Sequence, residues 1–103
     1  MATANPANPK GVSSPCIERE VMISNKLGLH LRAAGRLVDV ANQFTSDIRI
    51  RKGQRKVDGK SIMEVMTLAA TTGTHIVLCA IGADAEDAID SLAHLVEGKF
   101  DEE

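Results

Sequence analysis

Thr74-His75-Ile76-Val77-Leu78-Cys79-Ala80-Ile81 is the most β-prone run in this 103-residue chain, short, apolar and rich in branched side chains. Ile76, Leu78 and Ala80 fall on one face of such a strand, and His75, Val77, Cys79 and Ile81 on the other. The first face has a core to meet. The second is more apolar than a wetted sheet surface requires, and with Met22 it forms a patch that the N-terminal tail or a second chain is expected to cover.

Downstream, residues 84–96 carry Ala85, Ala88, Ile89, Leu92 and Val96 at helical spacing, with Gly98 as the expected stop. Upstream, Ser61-Ile62-Met63-Glu64 has the capping-box pattern, which opens a helix expected over 61–70. Earlier still, 46–51 alternates Ile48 and Ile50 against Asp47, Arg49 and Arg51. Lys52-Gly53-Gln54 then turns the chain into a short strand at 55–57. Ala34, Leu37, Val38 and Ala41 place a helix over 31–42. Gly35 inside it costs about 1 kcal/mol relative to alanine, which suggests close packing or the approach of a partner at that turn. Alternation of Ile17, Arg19, Val21 and Ile23 makes 17–23 a half-buried strand. Residues 1–15, with three prolines and small polar side chains, cannot bury a core and read as a disordered tail before a domain at 16–103. The order is strand, helix, strand, strand, helix, strand, helix with short links. It predicts an α+β domain in which an antiparallel sheet carries its helices on one face.

Composition narrows the function. A formal charge of −2 and only two aromatic residues offer neither a basic field nor stacking platforms for nucleic acid. Arg49, Arg51, Lys52, Arg55, Lys56 and Lys60 form one basic stretch. Acidic residues fill the C-terminal third and end in Asp101, Glu102 and Glu103 as a tail; both groups read as solvated faces. Cys16 and Cys79 stand in no C-x-x-C pairing, which argues against a zinc site or a disulfide scaffold, so no metal is expected. The longest apolar run, 76–81, is far too short to span a bilayer. A reduced, cytoplasmic setting without membrane insertion fits best.

Chemistry concentrates around Gly28-Leu29-His30-Leu31-Arg32. Here an imidazole sits between a glycine turn and a helix N-terminus, where unpaired N–H groups and the helix dipole favour an anion such as phosphate. Arg32 adds a second cation. No G-x-x-x-x-G-K-[ST] occurs, so a phosphoryl group reaching His30 has to come from another protein. On spacing alone, His30 reads equally as a packing or capping histidine, Arg32 as an exposed helix-start arginine, and Ser61 as a plain helix cap. His75 and His94 match no motif.

Gly28-Leu29-His30-Leu31-Arg32-Ala33-Ala34 resembles the G-L-H-A-R-P-A signature of the HPr family, the histidine phosphocarriers of the bacterial phosphotransferase system. Lys60-Ser61-Ile62-Met63 resembles that family's K-S-I-M segment, and the likeness spans about 17–100. It implies an open-faced β-sandwich, with four antiparallel strands carrying three helices on one face. It implies a phosphoryl relay rather than an enzyme, without cofactor, in which His30 takes phosphate on Nδ1 from phosphorylated Enzyme I and hands it to an EIIA-type acceptor. Arg32 would bind the moving phosphoryl group and Asn25 would support the site. Ser61 would be the target of a regulatory serine kinase, and Ile62, Met63 and Met66 would dock partners. The chain would act as a monomer, with self-association as the alternative. Departures are Leu31, Ala33 in place of the proline, and Asp39 and Asn42 where relatives often carry lysines. Sugar-uptake and nitrogen-related branches look alike at this level.

Overall fold

A computed structural model describes residues 16–102; the expected tail at 1–15 lies outside them. Four strands form one antiparallel sheet in the order β1-β4-β2-β3: β1 Cys16–Met22, β2 Asp47–Lys52, β3 Arg55–Asp58 and β4 His75–Ile81. Three helices alternate with them: α1 Leu31–Ala41, α2 Ile62–Met66 and α3 Ala85–Glu97. This is the α+β layering, an antiparallel sheet with helices on one face, that the strand and helix order predicts, and the open-faced sandwich that the family resemblance implies.

The 74–81 run becomes a central strand. β4 pairs with β1 on one side (Ile17 opposite Ala80, Val21 opposite Ile76) and with β2 on the other (Ile48 opposite Ala80, Ile50 opposite Leu78). Since side chains alternate across a pleated strand, these registers put Val21, Ile48, Ile50, Ile76, Leu78 and Ala80 on one face, all buried. Onto them α1 presses Ala33, Ala34, Leu37 and Ala41, and α3 presses Ala88, Ile89, Leu92 and Val96. The small alanines on both helices let their axes come close to the sheet.

Four sequence expectations change. The second helix stops at Met66 rather than continuing to residue 70, because the chain tightens into i→i+3 bonds: the N–H groups of Thr67, Leu68 and Ala69 donate to Glu64, Val65 and Met66 carbonyls. Ala69 then turns left-handed (φ 50°), and the freed Leu68 carbonyl accepts from Lys52 Nζ at 2.9 Å. The capping box is half formed: Ser61 Oγ accepts from the Glu64 N–H, but the Glu64 carboxylate reaches past Ser61 to the Asp58 N–H. Gly35 is not tightly packed, since a Cβ there would meet only Ile62 Cδ1, at an ordinary 3.7 Å. Finally, α3 stops at Gly98 as expected, but the left-handed turn does not fall on Gly98 itself (φ −86°). That role falls to Lys99, Phe100 and Asp101, with φ of 59°, 57° and 63°.

The charged stretches are not uniformly solvated either. Lys52 and Lys60 donate to main-chain carbonyls, Lys60 to Phe44 at 2.7 Å, and Arg55 to the Thr67 hydroxyl. Asp84, read as the start of an acidic helix, does not cap α3. Its carboxylate accepts from the N–H groups of Thr45 (2.9 Å) and Ser46 (3.0 Å) and from both hydroxyls, tying the β2 approach to the β4–α3 link. Among the described residues no helix is long and apolar enough to cross a membrane.

Candidate functional site

The loop ahead of α1 is shaped by two residues that leave little freedom. Gly28 is left-handed (φ 68°), and a Cβ there would lie 2.8 Å from the Ala70 carbonyl oxygen and 2.9 Å from Thr71 Cα; only glycine fits both the conformation and the approach. Leu29 N–H donates to that same Ala70 carbonyl at 2.8 Å, which requires the chain beyond α2 to leave the helix where it does. Asn25 is fully buried, and its Nδ2 donates to the Gly28 carbonyl at 2.8 Å. The loop is thus pinned from below and from within.

It delivers His30 as the N-cap residue of α1, in extended conformation and with no side-chain cap bond. The His30 carbonyl accepts the Ala34 N–H, while the N–H groups of Leu31, Arg32 and Ala33 take no backbone acceptor among the described residues. This is the exposed first turn of an 11-residue helix, with no acidic residue in it. A cleft lined by Leu27, His30, Leu31, Arg32, Arg36, Asp101 and Glu102 opens over it, about 710 Å³ in volume. Two guanidinium groups, the helix N-terminus and an imidazole share one concavity, so the place suits a phosphate-sized anion.

The chain fills part of this cleft itself. Glu102, assigned by its sequence to an acidic tail, is largely buried and accepts from His30 Nε2 with one carboxylate oxygen and from Asn25 Nδ2 with the other, at 3.0 Å. The hydrogen bonds from Asn25 and then His30 hold the Glu102 carboxyl below its ordinary value, so it stays ionised. An ionised carboxylate only accepts, so Nε2 is the nitrogen that donates in this contact; in the neutral form of the ring the lone pair is then on Nδ1. What brings Glu102 there is the left-handed turn. Phe100 is fully buried between α1 and α3, and its carbonyl accepts from Arg36 Nη1. Left-handed backbone costs about 1–2 kcal/mol at each of the three residues. Burying Phe100 and the charge-assisted Arg36 bond return about 3–6 kcal/mol together. The turn is therefore close to balance.

Arg32 is exposed beside His30 and has no hydrogen-bond or ion-pair partner among the described residues, whereas Arg36 one turn on is committed to the C-terminal turn. Ser61 is half-buried at the start of α2. Ile62 packs against the core, and Met63 (77% exposed) and Met66 (36%) face outward. Leu27 (68%) and Leu31 (64%) are exposed apolar residues on the lining of the His30 cleft itself. Leu27, Arg36 and Glu102 escape a sequence reading. Only the amphipathic placement of Arg36 on the face of Arg32 could have been noticed. Asn25 is legible only through the family likeness. His75 and His94 lie exposed, away from the cleft.

Comparisons with known proteins agree with this geometry. A family model described as the PTS HPr component phosphorylation site matches residues 17–98. A phosphocarrier protein HPr of Pseudomonas putida is 48% identical over 85 residues, covering 82% of this chain and 94% of its own length. A phosphocarrier protein NPr of Shewanella violacea is 42% identical, covering 84% and 94%. The crystal structure of HPr from Thermoanaerobacter tengcongensis superposes with a TM-score of 0.82 at 44% identity, covering 84% of this chain and 98% of that one. On these grounds, and with a matching sheet order and helix placement, the chain belongs to the HPr family of phosphocarrier proteins of the phosphotransferase system.

Proposed function

We propose that His30 is the phosphoryl acceptor of this chain, taking the group on Nδ1 from phosphorylated Enzyme I and passing it to an EIIA-type protein. The observation that carries this reading is the contact of His30 Nε2 with the Glu102 carboxylate in the cleft that Arg32 and Arg36 line, which makes Nδ1 the nitrogen of the neutral ring that is free to attack. Nδ1 attacks phosphorus; the bond from phosphorus to the donor breaks, and its electron pair leaves with the donor. The Nε2 proton remains on the carboxylate side. Arg32 and the free N–H groups of the first α1 turn neutralise the phosphoryl oxygens as charge builds. Onward transfer runs the same steps in reverse. Leu27, Leu31, Met63 and Met66 give partners apolar contacts, and flexible methionines suit a surface that meets more than one of them.

Incubation with Enzyme I and phosphoenolpyruvate tests the reading. An acid-labile adduct is expected on the wild type and none on His30→Ala; an undiminished adduct on the variant overturns it. Ser61 is the regulatory position in the same reading. Its hydroxyl stands one residue before Ile62 and two before Met63, so a phosphate of about two charges there would meet every docking partner. Ser61→Asp is expected to slow phosphorylation by Enzyme I at least tenfold through weaker docking; unchanged kinetics would remove Ser61 from the regulatory role.

A further inference from the structure

The sheet surface turned away from the helices is ordered by charge, column by column. Strand registers place Glu18, Cys79 and Arg49 in one row across β1, β4 and β2, and Glu20, Val77 and Arg51 in the next. β3 adds Asp58 beside Arg49 and Lys56 beside Arg51. Acidic side chains therefore stand in the β1 column and basic ones mainly in the β2 and β3 columns. An apolar column of Val77, Cys79 and Ile81 lies between them on β4, ended by His75, with Met22 opposite His75 on β1. Ile81 is 46% and Met22 43% exposed, and Cys79 is covered only by its neighbours.

Opposite charges on a sheet usually sit on adjacent strands, where they pair. Here β4 holds them two strand spacings apart, about 10 Å, and among the described residues no ion pair joins the two columns. Their contacts are local and exposed: Arg49 leans on Asp47 at 3.1 Å, and Glu20 on His75 at 3.1 Å. Rotation by 180° about an axis running along β4, midway between two stacked sheets, reverses left and right while keeping each row at its own height. Each acid then faces a base of the same row: Glu18 faces Arg49 and Glu20 faces Arg51 of the other copy, twice each. The apolar column meets itself. Sheets pack about 10 Å apart, a gap that a glutamate and an arginine pointing toward each other can bridge. The face is its own complement, as an isologous contact requires.

We propose that this open face is a contact between two copies of the chain, stacked sheet to sheet about a twofold axis along β4. The N-terminal tail is the weaker occupant: residues 1–15 contain no acidic side chain to set against the basic columns. The apolar column is narrow, so the pair is transient and salt-sensitive. The helices and the His30 cleft stay on the outer surfaces and remain open to partners.

Sedimentation velocity on the full chain, from about 20 μM to about 1 mM at low salt, tests this proposal, the range being that of small interfaces. A shift toward dimer with concentration, reduced by added salt, is expected. Glu18→Lys with Glu20→Lys, and Arg49→Glu with Arg51→Glu, should each weaken self-association at least tenfold. A mixture of the two double variants should associate at least as well as the wild type. Amide NMR spectra establish that each variant folds; if a pair does not, Glu20→Lys and Arg51→Glu singly serve the same exchange. A wild type that stays monomeric at about 1 mM overturns the proposal, and so does a mixture of folded variants that fails to associate. Amide shifts at Val77 and Cys79 that ignore concentration but move on deletion of residues 1–15 would assign the face to the tail instead.

Discussion

Two carboxylates join distant parts of this chain, and they do so differently. Asp84 receives two main-chain N–H groups and two hydroxyls from Thr45 and Ser46. Its partners form one turn, and Gly82 beside it has no room for a side chain: a Cβ there would sit 2.5 Å from Ser46 Oγ. Glu102 receives two side-chain donors, one of them the imidazole at the centre of the cleft, and hangs on a left-handed turn whose costs and gains nearly cancel. Saturation by backbone donors makes a fastener. A pair of side-chain donors on a balanced turn makes a contact that can be released when a phosphoryl group or a partner enters the cleft.

The largest break in this comparison is expected from Phe100→Ala. Removing the one aromatic anchor of the C-terminal turn should cost about 3–5 kcal/mol in chemical denaturation, and it should slow phosphoryl transfer because Glu102 loses its position. Next comes Glu102→Gln. Transfer to His30 should fall by roughly tenfold, less than the roughly hundredfold or more that a group moving a proton itself contributes. Stability in chemical denaturation should fall by no more than about 1.5 kcal/mol, the contribution of one hydrogen bond. Nitrogen-15 shifts of the His30 ring should move toward a mixture of tautomers; a ring that stays protonated on Nε2 in this variant would leave Glu102 without an orienting role. The smallest effect lies at Asp84, whose pKa is lowered from 3.8 to about 2, chiefly by the Ser46 hydroxyl and then by the Thr45 N–H. A lowered folded-state value means that the stabilisation is fully present above pH 3.8 and drains away as pH falls toward 2. Asp84→Asn should be less stable at neutral pH and should lose this component of the acid dependence, measured as the denaturation midpoint against pH.

The same contrast explains what could be read from the sequence. Strands and helices follow from local alternation and helical spacing, and their edges fall within a residue or two for β1, α1, β2, β3, β4 and α3. The second helix misleads because Val65, Leu68 and Ala70 keep a helical period after the helix has ended. They are buried all the same, and the decisive fact is that the Ala70 carbonyl is needed by Leu29, forty-one positions earlier. Half of the candidate site was visible, since His30 and Arg32 advertise themselves through a glycine turn and a helix start. Glu102 was not. An acidic chain end ordinarily means solvent, and a left-handed turn built of lysine, phenylalanine and aspartate carries no glycine to announce it.

The sheet order also has a consequence in time. β2 and β3 are joined by a two-residue link and can pair in microseconds as a hairpin. Among the described residues β1 has one sheet neighbour, β4, whose paired residues lie between 53 and 65 positions further along the chain. A nascent or refolding chain therefore holds its first strand, and the loop to His30 that hangs from it, without a sheet partner until β4 has formed on the hairpin. The loop-closure entropy is met in one late step. The strand that ends up in the middle of the sheet is the piece whose arrival completes the domain.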